Sequence, residues 1–597
     1  MSESGAQKKK GSKKVKVQRA QDAPIQPKLI SSSTTFFLSV PALIAILLYF
    51  YFNPTPAIEF FDAWIGFSDH YDSAPVPHTH SFTYLSADTT KRRAVLESFK
   101  HAWLAYERDA MGADEYHPIS KQGSNLTDAG GIGFMVVDVL DSLQIMGLRA
   151  EYGRARKWVA ERLDFDKGAL FSTFETTIRV LGGLLSAYHL SEEDPIYLEK
   201  AIDLADRIMP VFETASGLPF PAVNLAERRG YHSIDFPGLS SVAEAGTLQL
   251  EFRYLSYLTE NEVYWRAAEN VMKVLKDARL PHGLASVFLA IEQGQYHLSA
   301  ISLGSRADSF YEYLLGPRSI GSSTSKLSNQ TERFYQDMYD DAMESIHNHL
   351  VQRSTTNNLL YTSELIPENG PDGGLTWRLT PKQDHLVCFL GGSLMLGATR
   401  TGALTSPVSI PPHPEELTEK GTRDWKTGVE LIKTCMNMHD TQTGLSPEIV
   451  YFRVPSDGMN AMPNAPPDWY IRGAQLAPGE LPPYDSRYML RPETVESLFI
   501  AYRLTGDNIY REHGWKIFQA IEKHARVSTG GYATVINVDD NPASLEDKME
   551  TFFLSETLKY LYLLFDSSNN IPLDKYVLNT EAHPLPIFEP SIRSRFS

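Results

Sequence analysis

Acidic side chains at the start of apolar segments are the residues of this sequence with the clearest chemical potential. Glu175 and Arg179 are four residues apart in FETTIRVLGG, so a helix would place them on one face. Glu493 and Glu496 follow a proline in RPETVES, and Asp308 precedes the apolar run of SRADSFYEYLL. A helix N-terminus stabilises an ionised carboxylate, which suits a general base. Taken singly, these patterns also fit a surface ion pair, a complement to the helix dipole or an N-cap.

The motifs missing from the sequence narrow the chemistry. It contains no HExxH, no paired CxxC, no GxSxG and no GxxxxGK[ST] motif. Carboxylates, a few arginines and aromatic side chains remain, the last making up 11% of the chain. Glycosidases use paired carboxylates to protonate a leaving oxygen and activate water, and the C–H faces of sugars stack on aromatic rings. The residues therefore favour glycoside hydrolysis.

Charge argues against nucleic acid as a partner. Residues 1–30 contain eight Lys or Arg against two acids, yet the whole chain has a net charge of −17, so the rest of the chain is strongly acidic. Binding to phosphates requires clustered Lys and Arg. We therefore expect no nucleic-acid partner.

Helical patterns recur from about residue 90 onward and predict an all-α body. FMVVDVLDSLQIMGL is apolar nearly all round, as in a helix packed on both sides, whereas strand-like runs are few and short. About a dozen helices without an obvious linker predict one α/α barrel or solenoid, with long loops at residues 316–330 and 453–485. The other predicted helices are AVLESFKHAWLAYERDA, FETTIRVLGGLLSAYHL, EAGTLQLEFRYLSYLT, SFYEYLL, RFYQDMYDDAMESIHNHL, DHLVCFLGGSLMLGA, PETVESLFIAYRLTG, GWKIFQAIEKHARV and KMETFFLSETLKYLYLLF.

The N-terminal region predicts a membrane anchor. Residues 1–35 form a basic tail, residues 36–52 are uncharged and just long enough to span a bilayer, and residues 53–88 form a stem rich in Pro, Ser and Thr. Basic residues before the apolar segment place the tail in the cytosol and residues 89–597 in the lumen. The long basic region and the lack of a clean cleavage site argue against a cleaved signal peptide.

Cys388 and Cys435 are the two cysteines of the chain. In a lumenal domain they predict one disulfide, while a pair of buried free thiols is the alternative that a cytosolic protein would favour. Glycosylation sequons at Asn125 and Asn329 fit the lumenal compartment.

The C-terminal segment DKYVLNTEAHPLP is unusual for its position. Chain ends usually fray, yet this one places a Thr, a Glu and a His between apolar residues. Its composition calls for a role inside the body of the protein.

A series of longer motifs resembles those of a known family, and this resemblance gives the C-terminal segment a role. In chain order they are FKHAWLAYERDAMGADEYHPIS, DVLDSLQIMGL, FETTIRVLGGLLSAYHLS, EAGTLQLEFRYLSYLT, SRADSFYEYLL, DHLVCFLGG, TGLSPEIVYF, RYMLRPETVESLFIAYRLTGD, KMETFFLSETLKYLYLLF and LNTEAHPLP. From about residue 90 to the end, the chain resembles the class I α-1,2-mannosidases of glycoside hydrolase family 47. The resemblance implies an (αα)7 barrel plugged at one end by a C-terminal β-hairpin, with LNTEAHPLP as the tip that reaches the active site. It also implies one Ca²⁺, bound by the backbone carbonyl and hydroxyl of Thr580 together with waters.

The same resemblance assigns roles to the carboxylates. In an inverting family, a base activates water on one side of the sugar while an acid protonates the leaving oxygen. Glu493 matches the general base and Glu175 the general acid, acting directly or through a water, while Asp308 is the competing acid. Glu448 is grouped with them as a catalytic carboxylate. The other matching positions are expected to bind sugar hydroxyls, hold the catalytic acids or coordinate calcium waters: Arg179, Glu244, Arg306, His385, Arg491, Glu496, Glu550 and Glu581. His385 also fits an ordinary buried histidine, and the cysteine pair matches the family's disulfide.

Arg306 bears on the substrate that the resemblance implies, a high-mannose N-glycan on a glycoprotein. Members of the endoplasmic reticulum type carry Arg at this position, and a guanidinium can hydrogen-bond several hydroxyls of one branch. We therefore expect removal of the middle-branch α-1,2-mannose of the nine-mannose glycan, in glycan trimming and glycoprotein quality control. The expected location is the endoplasmic reticulum membrane, or the Golgi, in a single-pass type II topology. GLASVFLAIE departs from the family pattern and bears on the branch preference.

Two other functions compete with this one. A lectin-like homologue would bind glycans of misfolded glycoproteins without cleaving them, and a decayed barrel would have a structural role. Retention of the catalytic carboxylates together with Thr580 favours an active enzyme.

Overall fold

Helices are the predominant regular secondary structure of the described chain. The computed structural model describes residues 84–278, 283–319, 329–459, 465–474, 480–588 and 592. The predicted tail and membrane anchor, and the stem up to residue 83, lie outside these ranges. Among the described residues, no helix combines the length and the apolar character needed to cross a bilayer.

The α-helices are numbered in chain order. They are α1 (Thr89–Ala110), α2 (Phe134–Asp138), α3 (Leu140–Ile145), α4 (Arg149–Arg162), α5 (Thr173–Glu175), α6 (Gly182–Leu190), α7 (Pro195–Ile208), α8 (Val242–Gly246), α9 (Gln249–Thr259), α10 (Glu262–Ala278), α11 (Asp308–Ser319), α12 (Asn329–Ser345), α13 (Phe389–Arg400), α14 (Glu419–Met438), α15 (Glu493–Thr505), α16 (Asn508–His524) and α17 (Leu558–Phe565). Turns of π-helix occur at Thr176–Leu181, Ile346–Leu350 and Phe553–Thr557, and 3₁₀ turns at Met209–Phe212, His385–Cys388, Pro414–Glu416 and Tyr484–Ser486.

Within the described residues, seven helix pairs form a closed ring. The inner helices α3, α6, α9, α11, α13, α15 and α17 each pack against the next, and the π-helical turn Phe553–Thr557 closes the ring against α3. The outer helices α4, α7, α10, α12, α14 and α16 pack on the inner helix that precedes them, while α17 packs on α1. This is the α/α barrel that the sequence predicts.

Burial separates the two rings. Every residue of the inner helix α17 is buried, including Lys559. The outer helix α10 instead buries one stripe, with Tyr264, Ala268, Val271 and Leu275 at the spacing of one helix face. The sequence analysis did not predict the outer helices α4, α7, α10 and α14. It also predicted one helix in FMVVDVLDSLQIMGL, which the structure divides at Val139 into α2 and α3.

Short antiparallel strands occupy the connections that lead from an outer helix to the next inner helix. In the described residues these connections hold β1 to β17, and β18 and β19 follow α17. Strands therefore gather at the end of the barrel where the inner helices begin. They are β1 (Glu115–His117), β2 (Gln122–Ser124), β3 (Leu170–Ser172), β4 (Ala222–Asn224), β5 (Arg229–Tyr231), β6 (Leu239–Ser241), β7 (Phe288–Ala290), β8 (Gln295–His297), β9 (Val351–Arg353), β10 (Leu360–Thr362), β11 (Glu364–Asn369), β12 (Leu375–Thr380), β13 (Lys382–Asp384), β14 (Ile449–Phe452), β15 (Trp469–Tyr470), β16 (Thr534–Val535), β17 (Leu545–Glu546), β18 (Tyr576–Leu578) and β19 (Pro584–Pro586).

The predicted loops are partly structured. Helix α11 extends to Ser319 and α12 begins at Asn329, so both helices extend into the predicted loop 316–330. The predicted loop 453–485 contains β15, which pairs with β14. Pairing to an existing strand gives this two-residue strand backbone partners that its own sequence does not reveal.

The C-terminal hairpin is buried at its tip. Strand β18 pairs with β19, and the strands pack against α11 and α6 respectively. At the tip, Asn579 and His583 have no exposed surface and Glu581 is buried. The Asn579 side-chain amide donates to the Ile178 carbonyl at 2.9 Å and to Glu251 Oε1 at 2.8 Å. The segment is therefore held by the inner helices rather than frayed.

A buried ion cluster fastens the hairpin to the inner ring. Lys559 Nζ lies 2.9 Å from Asp141 Oδ1 and donates to the Ala582 carbonyl at 2.7 Å. His583 places its ring nitrogens 2.7 Å from Asp141 Oδ2 and 3.2 Å from Asp138 Oδ1. None of the four charged side chains, Lys559, Asp141, His583 and Asp138, is exposed to solvent.

The predicted disulfide is present. Cys388, just before the inner helix α13, is bonded to Cys435 in the outer helix α14. The bond joins an inner helix covalently to its outer partner.

Candidate active site

A cavity of about 500 Å³ lies where the inner helices begin. Its wall contains eight carboxylates and three arginines, so ionised acids would outnumber the cations. The charged lining residues are Glu175, Arg179, Glu244, Arg306, Asp308, Glu312, Arg491, Glu493, Glu496, Glu556 and Glu581. Thr580 from the hairpin and the rings of Phe174, Phe389 and Phe552 complete much of the remaining wall.

Glu175 and Arg179 form the predicted pair on one helix face. Ser172 caps the start of α5 by accepting from the Glu175 backbone N–H, and the following turn is π-helical. Arg179 Nε donates to Glu175 Oε2 at 2.8 Å, and its Nη1 donates to Glu581. The Glu175 side chain is 39% exposed, whereas Arg179 is 11% exposed. One guanidinium thus links a cavity carboxylate to the hairpin tip.

Asp308 opens α11, as expected, and stands next to the hairpin. Its Oδ1 accepts from the Ser309 backbone N–H at 2.8 Å, and the Ser309 hydroxyl lies 3.1 Å from the Thr580 hydroxyl. Burial raises the pKa of Asp308 to about 6, although Arg491 opposes this. A carboxyl of this kind keeps a proton more readily than an exposed aspartate.

Glu493 is the first residue of α15 and faces the same cavity. Burial raises its pKa to about 7, against the effect of Arg491, whose Nη1 is 3.8 Å from Glu493 Oε1. Glu493 Oε2 is buried and has no hydrogen-bond partner among the described residues. Arg491 Nε in turn donates to Glu448 at 2.8 Å. Glu448 therefore lies behind Arg491 and is absent from the cavity wall.

Two cavity carboxylates were missed by the sequence analysis. Glu312 lies one turn after Asp308 on α11, and Glu556 lies in the π-helical turn before α17. Burial, reinforced by neighbouring carboxylates, raises the pKa of Glu312 to about 8 and that of Glu556 well above its usual range. The sequence did offer a sign of each residue, because Glu312 and Glu556 are single acids inside the largely apolar helical patterns SFYEYLL and FFLSETLKYL.

Besides Glu448, two further predicted site residues lie outside this cavity wall, which makes three in all. His385 is buried behind α15, where its Nε2 is 3.0 Å from the Thr494 hydroxyl. Glu550 pairs with Lys548 at 3.1 Å and lines an adjoining cavity of about 340 Å³ that shares Glu175 and Arg179 with the larger one. Apart from Glu448, the other predicted site positions, Glu496 and Glu581 among them, do line the larger cavity.

Arg306 and Glu244 occupy another part of the wall. Glu244 completes a capping box with Ser241 at the start of α8. Arg306 has a left-handed backbone with φ of 72°, and its guanidinium lies 4.8 Å from the centre of the Phe236 ring. Non-glycine residues with such a backbone cluster at functional sites.

Comparison with known proteins identifies the family. A model of glycosyl hydrolase family 47 matches residues 98–587. The chain belongs to this family. It is 42% identical over 513 residues to a mannosyl-oligosaccharide 1,2-alpha-mannosidase of Candida albicans, with 84% of each chain covered. It is 40% identical to an endoplasmic reticulum mannosyl-oligosaccharide 1,2-alpha-mannosidase of Homo sapiens, with 84% of this chain and 64% of the relative covered.

A solved structure agrees with this membership. The fold is similar to that of an alpha-1,2-mannosidase from Trichoderma reesei, with a TM-score of 0.71 and 27% identity over 84% of this chain and 100% of the other. As a member of glycosyl hydrolase family 47, the protein is a glycoside hydrolase, as the sequence predicted.

The donor set of this family 47 cavity suits a hard cation. Within the described ranges, no cluster of three or more His, Cys, Asp or Glu side chains forms a metal site by itself. The cavity nevertheless combines the Thr580 hydroxyl, an unpartnered buried oxygen of Glu493 and raised pKa values at Glu312, Glu496 and Glu556. Oxygen ligands with retained waters are what Ca²⁺ accepts, and a cation would offset this excess of buried carboxylate.

Proposed function

We propose that this family 47 enzyme is an exo-acting, inverting α-1,2-mannosidase that trims high-mannose N-glycans on glycoproteins. One observation carries the proposal: Glu175, Asp308 and Glu493, from three different inner helices or their first turns, line one cavity with Thr580. The named activities of the similar proteins support the linkage and the sugar.

The proposed reaction uses two carboxyl groups on opposite sides of the sugar. Glu493 takes a proton from a water whose oxygen attacks the anomeric carbon, while an acid gives a proton to the leaving oxygen as the glycosidic bond breaks. Glu175 and Asp308 are the candidate acids. The pKa of Asp308, raised to about 6, favours the protonated form that a donor needs, whereas Glu175 is more exposed and paired with Arg179.

Thr580 is the proposed protein ligand of a Ca²⁺ ion, through its hydroxyl and its backbone carbonyl. When bound, the ion would hold sugar hydroxyls and so orient the terminal ring. Glu312, Glu496 and Glu556 would accept hydrogen bonds from the waters that complete its shell. The hairpin β18–β19 follows α17, so we propose that it enters the barrel from the end opposite the strand-rich connections and plugs it.

The proposed cellular setting follows from the N-terminal sequence. Residues 36–52 would anchor the protein in the endoplasmic reticulum membrane, or the Golgi, with residues 53–88 as a stem and residues 89–597 as the lumenal catalytic barrel. The disulfide between Cys388 and Cys435 fits an oxidising compartment. The partners are glycoproteins with high-mannose glycans, in trimming that serves quality control.

Digestion of a nine-mannose N-glycan tests the activity and the ion together. With Ca²⁺, the detergent-solubilised full-length protein should release one mannose, and a chelator should reduce the rate to background because Thr580 would lose the ion that orients the sugar. Mass spectrometry and chromatography of the product isomers give the measurement. Cleavage that persists in excess chelator would contradict the calcium proposal, and the absence of cleavage with folded protein and Ca²⁺ would contradict the activity.

Arg306→Leu should broaden the choice of branch. Arg306 presents hydrogen-bond donors to the cavity, and leucine removes them while keeping an apolar stem. We expect the middle-branch product to change from the main isomer to one of several, with the total rate of mannose release reduced by less than about tenfold. An unchanged isomer pattern would show that the loops, rather than Arg306, select the branch.

A further inference from the structure

The three arginines of the cavity are held in different ways. Arg179 bonds to carboxylates of Glu175 and Glu581, and Arg491 bonds to Glu448. The Arg306 guanidinium, by contrast, donates no hydrogen bond to protein atoms in the described part of the chain, although it lines the cavity. Its nearest carboxylate oxygen, on Glu244, is 4.0 Å away. Arg306 therefore keeps its donors for something other than the protein.

Two phenylalanine rings hold Arg306 instead. The guanidinium carbon lies 4.8 Å from the centre of the Phe236 ring and 5.9 Å from that of Phe288. The two rings pack against each other at a tilt, with centres 4.7 Å apart and planes 35° apart. We call Phe236 and Phe288 the aromatic shelf. Both are half-buried and neither lines the cavity.

The backbone fixes the other end of this side chain. Arg306 has a left-handed φ of 72°, and its carbonyl accepts a hydrogen bond from the Ala243 N–H at 3.0 Å. The main chain thus orients the Arg306 side chain, and the aromatic shelf positions its guanidinium. A long arginine side chain in water has many rotamers, and contact with the two rings favours those that place the guanidinium over them.

We propose that Phe236 and Phe288 are positioning residues that determine glycan specificity through Arg306. A ring attracts a guanidinium through its flat face, which leaves the N–H groups on the guanidinium edge to meet sugar hydroxyls. The ligand is the non-terminal mannose chain of one glycan branch, whose hydroxyls match several donors in a fixed plane. This inference rests on the proposed function and explains how one arginine can distinguish between branches.

Removal of the shelf tests the proposal. Phe236→Leu and Phe288→Leu should each lower the preference for the middle branch by about twofold to fivefold, as expected for loss of one cation–π contact at a partly exposed site. Phe236→Tyr keeps the ring and should retain the preference. Tyr231→Leu is the matched control, because Tyr231 lies 5.4 Å from the Arg229 guanidinium and neither residue lines the cavity. It should leave the isomer pattern unchanged.

A double-mutant cycle separates positioning from simple loss of structure. In an Arg306→Leu background, Phe236→Leu should have no further effect on the isomer pattern, whereas an independent structural effect would add to it. In a Glu493→Gln background, which should bind the glycan without cleaving it, calorimetric titration with the nine-mannose glycan gives a second measurement that does not depend on turnover. Binding should weaken about twofold to fivefold in the shelf variants, with thermal unfolding used to confirm that they fold.

The outcomes distinguish the inference from the function on which it rests. If the wild-type protein cleaves the glycan with one main isomer and Arg306→Leu changes it, while the shelf variants match wild type in isomers and affinity, the shelf proposal is wrong and the function stands. If the wild-type protein binds the glycan without cleavage, the proposed reaction fails, and weakened binding in the shelf variants still supports the shelf.

Discussion

Glu493→Gln should lower kcat by about 10²- to 10⁴-fold, the range that general-base catalysis supplies. Glutamine has nearly the same size and keeps the hydrogen-bonding shape, but it cannot accept a proton from the attacking water. Glu493 is buried at the start of α15 and lines the cavity, so the substitution removes a carboxylate from the cavity wall. Steady-state kinetics and calorimetric glycan binding should show turnover lost and affinity kept within about threefold.

The control for this variant is Glu419→Gln. Glu419 is also the first residue of a helix, the outer helix α14, but it is exposed and absent from the cavity wall. It tests the effect of removing a carboxylate from a helix N-terminus and should leave kcat unchanged. Near-normal turnover of Glu493→Gln would overturn its assignment as the base.

The same kinetics can distinguish the two candidate acids. A good leaving group, such as fluoride on a mannosyl substrate, needs little protonation, so loss of the true proton donor should matter far less with that substrate. Comparison of Glu175→Gln with Asp308→Asn on the fluoride and on the glycan would therefore show which one donates the proton.

Lys559→Met should reduce the free energy of unfolding by about 3–5 kcal/mol, the effect of breaking a buried ion pair. Methionine fills similar space but leaves the Asp141 carboxylate, which has no exposed surface, with only its remaining partners. It also removes the donor to the Ala582 carbonyl at the hairpin tip. Denaturant unfolding of the full-length protein measures the loss.

Lys157→Met is the matched control. Lys157 lies on the outer helix α4, its side chain is 70% exposed, and its partner Glu161 is 4.0 Å away. Exposed pairs of this kind contribute little, so the free energy of unfolding should change by less than about 1 kcal/mol. Equal effects of the two substitutions would show that the buried cluster does not stabilise the fold.

The pH dependence of stability should carry the signature of the same cluster. The two aspartates raise the pKa of His583 to about 9 although burial opposes this. The contribution of protonated His583 to the free energy of unfolding is therefore complete below about pH 6.5 and is lost as pH rises through about 9. Burial alone would raise the pKa of Asp141, but Lys559 and His583 lower it to about 2. The contribution of ionised Asp141 to the free energy of unfolding is therefore complete above about pH 3.8 and is lost as pH falls through about 2. His583→Gln should remove the alkaline loss.

The helices that are buried on nearly all sides could be predicted from the sequence. The inner helices read as long apolar segments, and their number and continuity indicated an α/α barrel. The outer helices were harder, because α4 buries only Ala155 and Val159 and its charged surface hides the helical pattern. The stripe of α10, with Trp265 and Met272 among its buried residues, was a usable signal that the analysis missed.

The site was predictable in part for a different reason. Glu175, Asp308 and Glu493 start helices, and acids at such positions can be read from sequence. Glu312 and Glu556 lie within helical segments, where only the closing of the ring shows that they face the cavity. The Phe236 ring lies far from Arg306 in sequence, and no local pattern joins them.

The closure of the ring affects how the barrel can fold during synthesis. Helix α1 is among the first parts of the barrel to leave the ribosome, yet its inner partner α17 is among the last, and the contact of Arg92 with Asp566 spans 474 residues. The face of α1 that packs on α17 therefore stays exposed until α17 has been synthesised. Contacts of such long range slow folding and leave apolar surface open to aggregation. Nascent chains stalled before α17 should accordingly engage chaperones, and a barrel permuted to begin at α2 and to end with α17 followed by α1 should need them less.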